Sequence, residues 1–263
     1  MSATVPRRAR AERRVAPKPG RDPKGHEGPA SGLRGSHDVP VDRGAAVKKL
    51  GVRGLAAQAT RDAILKAATK VFAKQGYAGG RVEQISKAAK SYDRMIYYYF
   101  GSKEGLFIAV LEEMYRRFND AESKLKLDAA QPVESLHAVI RFMWGYYQRN
   151  PEFITLLNTE NLHRGQHISK SLRAREYSSP AVDVLGRVLA SGAQQALFRS
   201  DVAARDVYLM IAAMGYFYMS NRFTLAAFLG EELETAPALA HWEAFVIDAV
   251  LRTVVAAPGA RRR

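Results

Sequence analysis

Three side chains that could bind a metal ion lie at helical spacing in the middle of the chain. Glu160, His163 and His167 stand at positions i, i+3 and i+7, which would bring a carboxylate and two imidazoles to one helix face. Arg164 and Gly165 interrupt this segment and predict that the helix frays there. We therefore favour histidines that are hydrogen-bonded or solvated, and we expect neither a metal site nor a cofactor.

Motifs for catalysis are missing from the sequence. The 263 residues contain no cysteine, which removes disulfides, thiolate nucleophiles and cysteine zinc sites. There is also no HExxH, no glycine loop for phosphate and no GxSxG. A helical enzyme is therefore disfavoured, and we expect a protein that binds.

The charge of the chain favours a polyanionic partner. Forty Lys and Arg against 26 Asp and Glu give a net charge of +14, and basic side chains displace condensed counterions from phosphates. Charge alone is compatible with DNA, RNA or acidic lipid. No apolar run approaches the roughly 20 residues that cross a bilayer, so we expect a cytoplasmic protein with no membrane partner.

Residues 1–57 differ in composition from the rest of the chain. They contain six prolines and no aromatic residue, so they cannot bury enough apolar surface to offset their ordering entropy. We expect a disordered basic tail, either a solvated extension or an arm that adds nonspecific DNA affinity. A second disordered basic segment is predicted at 257–263.

From Thr60 onward the apolar residues recur with a helical period, and we predict an all-α protein. Ile64, Ala68 and Phe72 lie on one face of a first helix that Gly76 ends. Two short helices follow, near residues 82–89 and 93–100, with three residues between them. This pair is a candidate helix-turn-helix.

Six further helices are predicted from caps and prolines. One begins after the N-cap Ser102 and runs to about residue 127. The others cover about 132–149, a segment from Pro151, and about 180–196, 203–229 and 237–256. We place the helix-turn-helix domain at 58–105 and a helical bundle at 106–256.

Four segments of the first domain resemble the DNA-binding domain of the TetR family of transcriptional regulators. They are residues 60–65, 72–77, 82–85 and 96–107, in the family's order and spacing. The part that begins with Asn150-Pro-Glu-Phe153 resembles, more loosely, the family's ligand-binding domains. The resemblance implies a homodimer that binds palindromic operator DNA and is released by a small hydrophobic or aromatic effector.

The resemblance also implies contacts with the phosphate backbone. Tyr97 is expected to contact one phosphate, and Lys103, with the free amides at its helix N-terminus, another. Arg81 and Tyr98 are further candidates. The alternative is that the tyrosines only pack against the core and that Lys103 is a solvated charge.

Base edges are assigned to the start of the second short helix, which lies deepest in the major groove. Arg94 and Tyr92 are the candidates, because arginine pairs bidentately with guanine. On the opposite side of that helix, Ile96 and Phe100 are expected to face the core.

The turn of the motif departs from the family's usual Gly-Val-Ser. It reads Lys90-Ser91-Tyr92, so either Lys90 has a positive φ or the turn adopts a different geometry. Ser91 or Asp93 is expected to cap the following helix. Gly80 and Arg81 also replace the usual threonines, so no sequence specificity is transferred.

Large adaptable side chains in the bundle are candidates for an apolar effector pocket with a few polar groups. The predicted ligand-binding residues are Phe118, Met143, Trp144, Tyr147, Asn158, Asn161, Met214, Phe217 and Asn221. The alternative is that they fill the core and the dimer interface.

By resemblance, the last two helices form that dimer interface. The residues predicted to face it are Val207, Met210, Ile211, Met214, Phe217 and Tyr218 on the first helix, and Phe245, Val246, Ala249 and Val250 on the second. A two-fold axis through these helices requires a roughly palindromic operator.

The leading interpretation is thus an effector-released repressor. An effector-independent dimeric DNA-binding protein and an activator remain alternatives. RNA is disfavoured, because the narrow major groove of A-form RNA does not admit a recognition helix.

Overall fold

The computed structural model describes residues 51–173 and 180–256, and in these ranges the protein is built from helices. They are α1 (Val52–Gly79), α2 (Val82–Ala88), α3 (Asp93–Phe100), α4 (Lys103–Glu122), α5 (Pro132–Arg149), α6 (Pro151–Leu162), α7 (Pro180–Gln194), α8 (Ala204–Leu229) and α9 (Ala236–Val254). A 3₁₀ helix, Ile168–Lys170, follows α6. Extended pairing in this part of the chain is limited to one antiparallel bridge between Phe198 and Val255. The all-α prediction is confirmed.

Helix α1 begins earlier than predicted. Residues 52–57 are helical and do not belong to a disordered tail. This segment contains Ala56 and Ala57 and no proline, which favours a helix despite Gly54. It carries no apolar period because it faces solvent, as the exposed Leu55 shows. The rest of the predicted tail, residues 1–50, and the predicted basic end at 257–263 lie outside the described residues.

Gly76 interrupts α1 as predicted. Its φ of +69° belongs to the left-handed half of conformational space, where glycine pays no steric cost. The few helical residues beyond it, up to Gly79, lead directly into α2.

The first four helices share one core. Ile64, Phe72, Ile85, Ile96 and Phe107 are all fully buried, one or more from each helix. The rings of Phe72 and Phe107 meet edge to face, with centroids 5.1 Å apart, which joins α1 to α4. Helix α1 also packs against α6, so the helix-turn-helix region and the bundle are in contact.

Helix α4 begins as predicted and ends at Glu122, five residues before the predicted end. The Ser102 hydroxyl accepts a hydrogen bond from the amide of Gly105 (2.9 Å), which confirms the N-cap. At the other end, the Ser123 hydroxyl donates to the Asp120 carbonyl oxygen (3.0 Å). A hydroxyl that bonds to the backbone in this way competes with helix propagation.

The bundle is formed by α5 to α9, and Pro132 and Pro151 open α5 and α6 as predicted. The predicted dimer face is partly wrong. Five of its residues are buried within the protomer: Val207, Ile211, Tyr218, Val246 and Val250. Since α8 is apolar around most of its circumference, its period does not separate a core-facing side from a partner-facing side. Of the predicted set, Phe217 and Phe245 are exposed.

None of the helices in the described ranges combines the length and the apolar character needed to span a membrane.

Candidate nucleic-acid interface

The angle between α2 and α3 is fixed by a buried contact. Ile85 and Ile96 are fully buried beneath the two helices. The Ser86 hydroxyl, also buried, donates a hydrogen bond to the carboxylate of Asp93 at the start of α3. In the turn, the Ser91 amide donates to the Ser86 carbonyl oxygen (2.9 Å). These contacts hold α3 in one orientation relative to the protein surface.

Lys90 takes the strained conformation that the sequence left open. Its φ is +52°, so the lysine occupies the left-handed position that a glycine normally fills. The predicted cap is wrong, because the N-cap residue is Tyr92 and its side chain makes no capping hydrogen bond. Asp93 lies inside the helix and bonds to Ser86 instead.

The outer face of α3 presents aromatic and basic side chains to solvent. Tyr92, Tyr97 and Tyr98 are 71%, 53% and 77% exposed. Arg94 is exposed beside them, with its guanidinium carbon 5.3 Å from the centroid of the Tyr92 ring. The three tyrosine hydroxyls and the Arg94 guanidinium can therefore contact a ligand that approaches α3 from the solvent side.

The core-facing side of α3 is as predicted for Ile96, and Phe100 is half-buried. The guanidinium of Arg61 on α1 lies 5.0 Å from the centroid of the Phe100 ring, a cation–π contact that the sequence did not indicate. Arg81, the last residue before α2, is exposed.

Lys103 lies where α4 meets the end of α1. Its ammonium donates to the Ala78 carbonyl oxygen (3.3 Å) and stands 4.9 Å from the centroid of the Tyr77 ring. Partial burial lowers the pKa of Lys103, and the nearby Glu83 carboxylate acts in the opposite direction. An ammonium has three N–H donors, so two remain for an anion after the bond to Ala78.

Gly105 is a structural requirement of the site that the sequence analysis missed. A Cβ at this position would lie 2.1 Å from the Phe100 carbonyl oxygen. Only glycine allows the end of α3 to approach the first turn of α4 so closely. The sequence signal was present in Lys103-Glu-Gly105, where a glycine stands inside a helix that otherwise has good helix formers.

The Tyr77 ring beneath Lys103 is packed on a cluster of side chains from the bundle. Its centroid lies 4.4 Å from that of His167 and 5.8 Å from that of His163. The His167 ring also contacts Phe107, at 4.9 Å. The bundle thereby supports the side chain on which Lys103 rests.

Glu160 holds this cluster together. Its Oε1 accepts hydrogen bonds from the backbone amides of His167 (2.8 Å) and Ile168 (2.9 Å), and its Oε2 lies 2.7 Å from His167 Nδ1. Glu160 and His167 are both buried. The carboxylate that the metal interpretation required is thus committed to hydrogen bonds, and the described residues contain no group of three ligands suited to a metal ion.

The predicted effector residues are brought together only in part. Phe118, Met143, Trp144 and Tyr147 are buried in the bundle, and Met214 is half-buried. Trp144 packs edge to face on Tyr218, with centroids 5.4 Å apart. These five remain candidates for an effector pocket.

The polar members of the set have different environments. Asn158 Oδ1 accepts hydrogen bonds from the hydroxyls of Tyr216 and Ser220, which ties α6 to α8. Asn161 and Asn221 instead donate back to carbonyl oxygens of their own helices, at 3.0 and 2.9 Å. Asn161 and Phe217 face solvent. The effector-binding roles of all nine residues stay predictions.

Helices α2 and α3 form a short pair in which α3 exposes basic and aromatic side chains, and the Lys103 ammonium lies at the start of α4. This arrangement defines a DNA-binding protein of the helix-turn-helix class. Family models agree. Residues 64–110 match "Bacterial regulatory proteins, tetR family", and residues 132–250 match "Tetracyclin repressor-like, C-terminal domain".

Curated and solved relatives extend the match. The HTH-type transcriptional repressor NicS of Pseudomonas putida is 54% identical over 205 residues, which cover 78% of this chain and 97% of NicS. A TetR regulator from Chloroflexus aurantiacus (TM-score 0.56, 24% identity, 77% and 100% coverage) shares the fold. The fatty acid degradation regulator FadR from Bacillus halodurans shares it too, with a TM-score of 0.56 and 22% identity over 82% of this chain and 100% of FadR. The chain belongs to the TetR family of transcriptional regulators.

Proposed function

We propose that the protein is a homodimeric transcriptional repressor that binds a palindromic operator and leaves it when a small-molecule effector binds. The observation that carries the DNA-binding step is the two-sided environment of α3. Ile96 anchors one side in the core, while Tyr92, Arg94, Tyr97 and Tyr98 project from the other. NicS, which is named as a repressor, supports the direction of regulation.

Within this proposal the candidate DNA-contacting residues divide into two roles. Tyr97, Tyr98, Arg81 and Lys103 contact phosphates, and their loss weakens binding on every sequence. Arg94 and Tyr92 contact base edges, and their loss relaxes the preference for particular base pairs.

Dimerisation is typical of the family, and apolar surface on the last two helices supports it here. Phe217 and Phe228 on α8 and Phe245 on α9 are exposed aromatic side chains. Exposed aromatic residues on neighbouring helices are common in protein interfaces. A dimer about a two-fold axis presents two copies of α3 to two operator half-sites.

The test is selection of binding sites from a random duplex DNA pool, repeated at two salt concentrations. An enriched inverted repeat is the expected result, because two symmetry-related copies of α3 read the same half-site. Salt-sensitive binding without an enriched motif would contradict the proposal and assign the affinity to nonspecific basic charge.

Effector release is the second step, and it requires a ligand that prefers the form of the dimer that does not bind DNA. The filled bundle core around Trp144 and Tyr147 favours an effector-independent regulator as the alternative. Titration of operator-bound protein with ligands separates the two, since a ligand that binds without changing operator affinity contradicts release.

We expect the protein to act in the cytoplasm, where its DNA target is, and to have no catalytic activity.

A further inference from the structure

A buried carboxylate with one unpaired oxygen lies at the end of α4. Glu122 is the last residue of this helix and is 2% exposed. Its Oε2 is inaccessible to solvent, and no described residue donates a hydrogen bond to it. Most buried carboxylates are paired, because an unpaired one loses its hydration without compensation. The described side chains therefore leave this oxygen of Glu122 without a hydrogen-bond donor.

Glu122 lines a cavity of about 420 Å³ between the end of α4 and α7. The walls are mostly apolar and include Leu125 and Leu127 from the segment after α4, and Val184 and Val188 from α7. Arg187 also lines the cavity and is itself exposed, so it lies toward the solvent side. Volume and lining fit a small organic molecule with an apolar body.

The electrostatic environment of Glu122 favours a ligand that donates a proton or a positive charge. Burial raises the pKa of Glu122 to about 7. The Tyr208 hydroxyl of α8 is close enough to interact with it, since burial and then the charge of Glu122 raise the pKa of Tyr208. A cation placed against the carboxylate would offset the lost hydration and return it to its charged form.

We propose that this cavity binds a small organic cation, an apolar molecule with an ammonium or protonated nitrogen that pairs with Glu122. In the terms of the proposed function, on which this regulatory part rests, the cavity is the effector site in place of the nine residues predicted from the sequence, none of which lines it. Its position suits that role, because α4 begins at Lys103 and ends at Glu122. One helix therefore joins the bound cation to the proposed DNA contact.

The experiment uses the full chain, benzylamine as the cationic probe and benzyl alcohol as its neutral analogue of similar shape. Binding of each is measured by calorimetry at about pH 8, where the Glu122 carboxylate is largely ionised. We expect benzylamine to bind at least about tenfold more tightly than benzyl alcohol. Equal affinities, or no binding of benzylamine at about 10 mM, would overturn the proposal.

Variants assign the site. Glu122→Gln retains shape and removes charge, so the preference for benzylamine should disappear, and a preserved preference in this variant overturns the assignment. Glu134→Gln, which changes an exposed carboxylate on α5, is the matched control and should bind both probes as the wild type does. If Glu122→Gln fails to fold, Val188→Phe, which fills the cavity from α7, should abolish benzylamine binding in its place.

Operator binding separates this inference from the proposed function. Benzylamine should weaken binding to the selected operator in the wild type and not in Glu122→Gln. Binding at Glu122 with unchanged operator affinity would overturn the effector role and leave the cation site standing. Absence of sequence-specific DNA binding without any ligand would instead overturn the proposed function, whatever the cavity binds.

Discussion

Lys103 combines two environments in one side chain. Its ammonium lies over the Tyr77 ring and donates to the Ala78 carbonyl oxygen, yet two N–H donors remain for a phosphate. An ammonium held in this way loses less conformational entropy on binding DNA than a solvated lysine does. Its contribution to DNA binding should therefore be close to that of a full phosphate contact.

Lys103→Ala should weaken operator binding by about tenfold, uniformly across operator sequences, and reduce the salt slope by about 1 per protomer. Fluorescence anisotropy over a range of salt concentrations measures both quantities. Lys124→Ala, an exposed lysine about 30 Å away beyond the other end of α4, is the control and should change neither. A sequence-dependent loss in Lys103→Ala would instead assign the residue to a base edge.

Glu122 makes stability depend on pH in an unusual direction for a carboxylate. Its pKa is about 7 in the folded protein against an ordinary 4.5, so the folded state retains a proton that the unfolded state loses. As pH rises from about 4.5 to 7, ionisation of Glu122 should lower the free energy of unfolding by at most about 3.4 kcal/mol. Glu122→Gln should remove this dependence.

Urea unfolding at about pH 5 and about pH 8 tests this linkage. The gain in unfolding free energy from Glu122→Gln should be larger at the higher pH. Glu134→Gln, an exposed carboxylate, should give the same small difference at both. A gain from Glu122→Gln that does not change with pH would show that the carboxylate keeps an ordinary pKa.

At the scale of elements, the turn between α2 and α3 stores strain at a single residue. Lys90 is exposed and has a φ of +52°, so its side chain gains no packing in return for the left-handed backbone. The strain is tolerated because the bonds from Ser86 and Ser91 determine the turn geometry.

Lys90→Gly should raise the free energy of unfolding by up to about 1 kcal/mol, the relief of strain less the added entropy of an unfolded glycine. Lys87→Gly is the matched change inside α2, where the helix is regular, and should lower it by about 1 kcal/mol. Thermal unfolding of the two variants gives the signs. A loss of stability in both would mean that Lys90 is not strained.

The Glu160 cluster connects α6 to the 3₁₀ helix that follows it. Glu160→Ala should lower the free energy of unfolding by about 3 kcal/mol, because the buried amide of His167 and the partly buried amide of Ile168 lose their acceptor. Asn161→Ala, next to it and exposed, should stay within about 0.5 kcal/mol of the wild type. Chemical denaturation measures both, and equal effects would argue against the buried network.

Helices were predictable from the sequence where a cap or a proline marks an end. Ser102, Pro132 and Pro151 gave correct starts, whereas the first turn of α1 was missed and the end of α4 was predicted five residues too far along the chain. The first turn of α1 faces solvent and therefore carries no apolar period, and the end of α4 depends on Ser123 bonding to the backbone.

The exposed residues of α3 could also be anticipated, because the pattern placed Ile96 in the core and the others opposite it. The tie between Glu160 and His167, the close approach at Gly105 and the burial of Glu122 could not. Each depends on which elements become neighbours in the folded chain, and a period along one helix contains no information about its neighbours.

At the scale of the whole molecule, the proposed dimer depends on surface that one protomer cannot bury. Phe217→Glu places a charge in the proposed interface and should raise the dimer dissociation constant by at least about 100-fold. Sedimentation velocity shows the mass change, and operator affinity should fall with it. Leu172→Glu alters a still more exposed apolar residue outside α8 and α9 and should remain dimeric. A dimeric Phe217→Glu would place the interface elsewhere.

The close approach of Gly105 to the Phe100 carbonyl oxygen leaves no room for a Cβ between α3 and α4, so we expect the two helices to move together. The 20 residues of α4 make an arm of about 30 Å. A tilt of about 5° around its far end then swings the Lys103 end by about 2.6 Å. Successive major grooves on one face of DNA are about 34 Å apart, and two such arms swinging oppositely change the spacing of the reading helices by about 5 Å. A tilt of α4 too small to disturb the packing of the bundle is therefore enough to move both copies of α3 out of register with the major grooves.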